Sequence, residues 1–258
     1  MFPGLLSRVP RGAGDIRVAE MIYARVLRER TVVGQVGRAR LELDLADWPQ
    51  AQAYLLRRYD PATVRFVLDH LPPNGVFVDV GAHVGLISTQ IGVARPSVAI
   101  HAFEPHPVKV EALRRNLALN SVAATVNALA LSDRKGDVAF DADSHSIYKA
   151  GADAIKVRTE RLDDYFDDRG IETVDVLKLD VEGHEEAVLH GAERTLASGR
   201  IRAVTLEALD VHGDTAHAAA LLEKYMRRVP TPDPRARMVR WRKIDPENAS
   251  YVLKQALD

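Results

Sequence analysis

Two rhythms of apolar residues divide this sequence. Upstream, Val18, Met21, Ile22 and Val26 recur at helical spacing within Asp15–Arg30, with arginines and glutamates between them, which predicts an amphipathic helix. Val32, Val33 and Val36, then Leu41, Leu43 and Leu45 beyond Gly37, alternate as the two arms of a short hairpin do. Pro61 suits the first position of a further helix, with Asp60 as its cap. Val64, Val67, Leu68 and Leu71 form its inner face, and Pro72-Pro73 ends it. Residues 1–75 are therefore expected to form a small helical and hairpin cap.

From Val76 onward, short apolar runs alternate with amphipathic segments, the pattern of a parallel sheet covered on both faces. The predicted strands are Val76–Val80, Val98–Phe103, Thr125–Leu131, Val174–Leu179 and Ile201–Leu206, with helices starting near Gly85, Pro107 and Gly183. In the second helix Leu113 and Leu117 point inward, while Lys109, Glu111, Arg114 and Arg115 face water. An insertion at 133–168 is expected to carry a small hairpin. A helix over Thr215–Arg228 leads to an antiparallel closing pair, Arg237–Ile244 and Tyr251–Lys254. Residues 76–258 thus read as one Rossmann-like α/β domain.

Composition narrows this little. A chain of 258 residues holds one such domain with an appendage. A net charge of -1 gives no field that would gather nucleic acid. The basic run Arg235, Arg237, Arg240, Arg242 and Lys243 reads as charge on an edge strand, where it discourages sheet-to-sheet pairing. Without cysteine there is neither disulfide nor thiolate metal site, which suits a reducing cytoplasm. The N-terminus lacks the features of a secretory signal, and no apolar stretch of ~18 residues spans a membrane. A cytoplasmic protein is expected. The apolar face of the helix at 15–30 predicts burial against the main domain or a second subunit.

The chemistry gathers at the strand tips. The first strand runs into Asp79-Val80-Gly81-Ala82-His83-Val84-Gly85, where glycines allow a tight turn and a close ligand. In open α/β sheets this loop lies at the point where strand order reverses, the usual ligand seat. Glu104, at the end of the second strand, stands about 20 residues on, the place of an acid that accepts ribose hydroxyls. Gly81 and Gly85 alone do not complete a dinucleotide fingerprint. The charge of Asp79 suits an ammonium and a sulfonium better than a pyrophosphate, which favours S-adenosylmethionine over a nicotinamide cofactor.

The motifs at Phe77–Gly85, Phe103–Pro107 with Leu113 and Asn116, Ala130–Asp133 with Gly136, and Asp175–Glu185 with Val188–Ala192 resemble, in order, those of the FkbM-type methyltransferases. The similarity covers about Tyr54 to Glu207. It departs at His83, where the family pattern usually has asparagine and an imidazole is expected either to alter contacts to the cofactor or to add a titrating group. The resemblance implies a class I fold: a mostly parallel sheet with an antiparallel closing strand, and helices on both faces. It also implies transfer of a methyl group from S-adenosylmethionine to a hydroxyl of a sugar, glycan or secondary metabolite. Carried over by position, Asp79, Gly81, His83 and Gly85 line the methionine end, Glu104 holds the ribose, and Asn127, Ala128 and Leu129 lie near the adenine.

Proton transfer needs a base beside the acceptor hydroxyl. Asp180 at the fourth strand tip is the first candidate, as base, substrate ligand or metal ligand; His184, His145 in the insertion and Glu207 at the fifth strand tip are the others. Glu185 is expected to stabilise the start of its helix. Asp180, Glu182 and Glu207 form a candidate oxygen site for Mg2+. Two other readings remain: a non-catalytic S-adenosylmethionine-binding interaction module, and a nicotinamide-dependent oxidoreductase.

Overall fold

The computed structural model describes residues 31–141, 154–206, 214–229 and 249–253. The chain enters through a hairpin, β1 (Thr31–Val36) and β2 (Ala39–Asp44), followed by α1 (Trp48–Leu56) and α2 (Pro61–His70). Asp60 caps α2 as expected: its Oδ1 accepts from the Thr63 N–H at 3.0 Å. Then come β3 (Val76–Val80), α3 (Leu86–Ala94), β4 (Ala99–Phe103), α4 (Pro107–Leu119) and β5 (Thr125–Asn127). Next are β6 (Ala130–Leu131), β7 (Gly136–Phe140), β8 (Ile155–Glu160) and α5 (Leu162–Asp168). The chain continues with β9 (Val174–Leu179), α6 (Glu185–His190), α7 (Glu193–Ala197) and β10 (Ile201–Leu206). It closes with α8 (Asp214–Glu223), β11 (Met226–Val229) and β12 (Ala249–Leu253).

Seven strands form the central sheet in the order β11-β12-β10-β9-β3-β4-β5. β10, β9, β3, β4 and β5 pair in parallel, while β12 runs antiparallel between β10 and β11. Strand order reverses between β3 and β9, the switch point at which Rossmann-like sheets hold ligands. The expected class I architecture is borne out by this order. On one face Phe77, Ile100, Val176 and Ala203 pack with Phe66 and Val67 of α2 and Ile87 and Ile91 of α3. On the other, Val78, Val80, Leu177, Leu179 and Val204 pack with Tyr165, Phe166, Val188 and Leu222.

The hairpin docks on α4 through two asparagines. Asn116 Oδ1 accepts from the Glu42 N–H at 2.7 Å, and its Nδ2 donates to the carbonyls of Val84 and Glu42 at 2.8 and 3.2 Å. One turn on, Asn120 Oδ1 accepts from the Arg40 N–H at 2.8 Å and Nδ2 donates to the Arg40 carbonyl at 2.6 Å. Amides spaced i, i+4 on a helix so match alternate residues of an edge strand and satisfy backbone groups that burial would otherwise leave unpaired.

Some elements differ from expectation. The apolar run Thr125–Leu131 is two strands in two sheets: β5 extends the central sheet, while β6 pairs with β8 in a small sheet ordered β6-β8-β7. The helix expected over Thr215–Arg228 stops at Glu223, and β11 takes its last residues into the sheet. The closing pair is thus β11 with β12, and Arg237–Ile244 lies outside the described residues. Lys109 does not face water: its Nζ lies 2.6 Å from Oδ2 of Asp47, the residue that caps α1. The N-terminal helix at 15–30 also lies outside the described residues. Among the described residues, no helix is long and apolar enough to cross a membrane.

Candidate active site

The loop after β3 is pulled onto the tip of β4. The N–H groups of Gly81 and Ala82 both donate to the Phe103 carbonyl, at 3.0 and 2.9 Å. Gly81 has φ +75°, and a β-carbon there would run into the Asp180 carbonyl oxygen. Gly85 has φ +85°, and a β-carbon would stand 2.7 Å from Leu113 Cδ1. Both positions therefore demand glycine, for left-handed backbone and for close approach.

Glu104 is buried at the next strand tip, 5% exposed. Its Oε2 accepts from the His83 N–H at 2.9 Å and its Oε1 from the His106 N–H at 2.8 Å. Burial pushes its carboxyl upward, outweighing the backbone N–H of His106 and the charges of His83 and Lys178 that pull it down. A buried carboxylate presented between two strand tips, beside a loop no side chain can fill, fits the ribose end of a nucleoside cofactor. Removing such a hydrogen-bonded group costs ~1.5–3 kcal/mol, or about 10- to 150-fold in affinity. Glu104→Ala is therefore expected to weaken S-adenosylhomocysteine binding within that range, read by calorimetry on protein that still melts cooperatively.

Asp79 faces Lys178 across the β3–β9 pairing. Its Oδ2 accepts from Ser88 Oγ at 2.6 Å, and its Oδ1 stands 3.1 Å from Lys178 Nζ, a charge contact rather than an aligned hydrogen bond. The same ammonium lies 3.1 Å from Asp180 Oδ2 and donates to the Gly81 carbonyl at 2.9 Å. Burial alone would lower the lysine's pKa, but Asp180 and Asp79 more than reverse this and hold it charged. Two carboxylates and one ammonium leave a single net negative charge beside the loop, which favours a cationic ligand.

Beyond Asp180 the chain turns through two left-handed residues, Glu182 at φ 52° and Gly183 at φ 98°. Glu185 Oε1 closes this turn, accepting from the N–H groups of Val181 and Gly183 at 3.0 and 3.4 Å. His184 is buried at the head of α6, with Nε2 3.0 Å from Ser132 Oγ; Ser132 Oγ donates to Asp133 Oδ1 at 3.1 Å. Ser132 thereby spends its proton on Asp133, so His184 Nε2 is the donor and its lone pair resides on Nδ1. Burial lowers the His184 pKa despite Asp133, keeping the ring neutral at neutral pH.

Asn127 lies buried at the tip of β5, where its carbonyl accepts from the Glu104 N–H at 3.1 Å; Ala128 is exposed and Leu129 half-buried beside it. His83 sits left-handed in the loop, its Nε2 3.2 Å from Asp47 Oδ2. The structure thus brings Asp79, Gly81, His83, Gly85, Glu104 and Asn127 to one edge with Asp180. His145 and Glu207 lie outside the described residues. Of the carboxylates considered for Mg2+, Asp180 is engaged by Lys178, and among the described residues no group of three or more His, Asp or Glu is arranged to hold a metal ion.

Lys178, Asp47 and Ser132 were not singled out by sequence reasoning. A lysine inside the apolar run Val174–Leu179 was the available signal, because a buried charge requires a partner.

Residues 79–229 match the Methyltransferase FkbM domain. The chain belongs to the FkbM methyltransferase family. Its FkbM relatives include the 31-O-demethyl-FK506 methyltransferase FkbM of Streptomyces tacrolimicus, 32% identical over 59% of this chain and 72% of that protein. The methyltransferase sdnD of Sordaria araneosa is also 32% identical, over 60% of this chain and 74% of its own. The 2-O-methyltransferase NoeI of Sinorhizobium fredii is 28% identical over 50% and 61%. Family and strand order together make this FkbM chain an S-adenosylmethionine-dependent methyltransferase.

Proposed function

We propose that this chain transfers a methyl group from S-adenosylmethionine to a hydroxyl of a sugar, glycan or secondary metabolite. The observation that carries the choice of oxygen is the similarity to relatives named as a 31-O-demethyl-FK506 methyltransferase and a 2-O-methyltransferase. A third relative, the hexuronic acid methyltransferase AglP of Haloferax volcanii, is 29% identical over 55% of this chain and supports a sugar among the acceptors.

The bound cofactor supplies an electrophilic methyl group on a positively charged sulfur. The chain's own residues do the rest. Gly81 and Gly85 hold the loop in its left-handed turns beside the methionine end, Glu104 accepts the ribose hydroxyls, and Asn127, Ala128 and Leu129 border the adenine. The net negative cluster of Asp79, Lys178 and Asp180 favours the sulfonium over the neutral thioether product. Asp180 would orient the acceptor hydroxyl and take its proton on a carboxylate oxygen when the cofactor is bound. His184, neutral at working pH, is the second candidate and serves as base only once its ring turns out of the contact with Ser132, because its Nδ1 is buried; His145 and Glu207 are the other candidates.

The test is S-adenosylhomocysteine release in the presence of polyols, uronic acids, oligosaccharides and polyhydroxylated macrolides. Release that depends on one of these acceptors supports the proposal. Tight cofactor binding with no release for any acceptor supports a binding module instead. Binding of a nicotinamide dinucleotide in place of S-adenosylhomocysteine supports an oxidoreductase.

A further inference from the structure

We infer that Asp47, which belongs to the N-terminal cap, is a positioning residue for the cofactor, holding the Asp79–Gly85 loop through the side chain of His83. The inference rests on the reading of that loop as the cofactor's seat. Asp47 faces two ways. Its Oδ1 caps α1, accepting from the Gln50 N–H at 3.2 Å. Its Oδ2 lies 3.2 Å from His83 Nε2 and 2.6 Å from Lys109 Nζ. The Asp47 side chain is only 12% exposed. Burial would lift its carboxyl, but His83 and Lys109 outweigh that and hold it far below the usual carboxylate range. It is therefore a fixed negative charge at the seam between cap, loop and α4.

His83 is where that charge reaches the cofactor site. Its backbone is left-handed at φ 52°, a conformation that a non-glycine residue keeps when its surroundings over-determine it. Two ties do so: the N–H donates to Glu104 Oε2 at 2.9 Å, and the ring meets Asp47. The path from cap to ribose carboxylate is thus Asp47, His83, Glu104. The distal nitrogen of the imidazole, Nε2, is the atom that meets Asp47. Docking of the hairpin itself is carried separately by Asn116 and Asn120, so loss of the Asp47 contact loosens the loop without releasing the hairpin.

The experiment uses the full chain and its Asp47→Asn, His83→Asn and double variants. Asparagine still caps a helix, so Asp47→Asn removes the charge and spares α1. A coupling of about 1–1.4 kcal/mol corresponds to about 5- to 10-fold in affinity. Asp47→Asn is expected to weaken S-adenosylhomocysteine binding by that factor in calorimetry, with KM for the cofactor rising and kcat changing less than about two-fold. His83→Asn should weaken it similarly, and the double variant no further than the weaker single one. Unchanged affinity in Asp47→Asn, or strictly additive losses in the double variant, overturns the inference. Amide exchange at His83 and Gly85 in cofactor-free protein gives an independent reading, expected to quicken about ten-fold in Asp47→Asn. If wild-type protein fails to bind S-adenosylhomocysteine, the reading of the site fails, and unchanged exchange rejects the Asp47 tether on its own.

Discussion

Lys178→Met should cost the fold about 3 kcal/mol, because it strands the buried carboxylate of Asp79, with half-buried Asp180 beside it, around the site of a lost ammonium. Lys178 is 6% exposed and is shared by Asp79, Asp180 and the Gly81 carbonyl. Methionine matches the lysine stem in volume, so the loss is electrostatic rather than a cavity. The cluster's net charge falls from one negative to two. Adding Asp79→Asn to Lys178→Met returns the net charge to one negative and should recover a large part of the stability, though not the orientation of Asp180. Urea unfolding of the wild type, both single variants and the double variant gives the coupling directly. A Lys178→Met protein within about 1 kcal/mol of wild type would show that these contacts carry no structural load.

Asp180→Asn has the largest expected effect on the chemistry. The residue stands at the tip of β9, and its backbone N–H donates to the Val80 carbonyl at 3.1 Å, beside the cofactor loop. Its side chain is 24% exposed, so it meets Lys178 and still reaches solvent. Asparagine keeps the shape and still accepts from Lys178, but it cannot take a proton. Turnover at saturating cofactor should fall by ~10²-fold or more, while the fold persists. The cluster becomes neutral, so cofactor affinity should also fall, by less than about ten-fold given the partial exposure. Near-normal turnover would reduce Asp180 to a partner of Lys178 and move the search for the base to His184 and His145.

The parallel strands were legible because each is a short, mostly apolar run rich in Val, Ile and Leu. Val174–Leu179 is buried at every position, as an inner strand of a two-faced sheet must be. The same logic misread Thr125–Leu131, where Asn127 ends one strand and the apolar residues after it enter a different sheet at Ala130. Periodicity extended α8 too far because Leu221, Leu222 and Met226 keep helical spacing, while pairing with β12 draws Met226–Val229 into a strand. The helix Trp48–Leu56 escaped notice because its inward residues are Gln50, Ala51 and Ala53, small or polar, with Gln50 Oε1 accepting from the Asp44 N–H at 2.8 Å. Helical period likewise assigned Lys109 to solvent, since it cannot see the cap that covers that side.

Of the proposed site, spacing singled out Gly81, Gly85 and Glu104, and the structure places the three at the tips of β3 and β4. The ties among charged groups were not legible. Lys178 meets Asp79 from the neighbouring strand, and Asp47 meets His83 from ahead of α1, so neither pair shares a local spacing, whereas Asp180 follows Lys178 two residues on at the same strand end. Such contacts follow from topology, which brings β3 beside β9 only after the sheet has formed.

The central claim is that this edge of the sheet moves a methyl group from S-adenosylmethionine to an oxygen. The most direct measurement follows a 13C-labelled methyl group from S-adenosylmethionine into the product, with wild type and Asp180→Asn run side by side. The account predicts a labelled methyl ether, its carbon in the methoxy region of the NMR spectrum, formed at least about 100-fold more slowly by the variant. Label found on nitrogen or carbon, or no transfer to any hydroxylated acceptor by a wild-type protein that binds the cofactor, would contradict it.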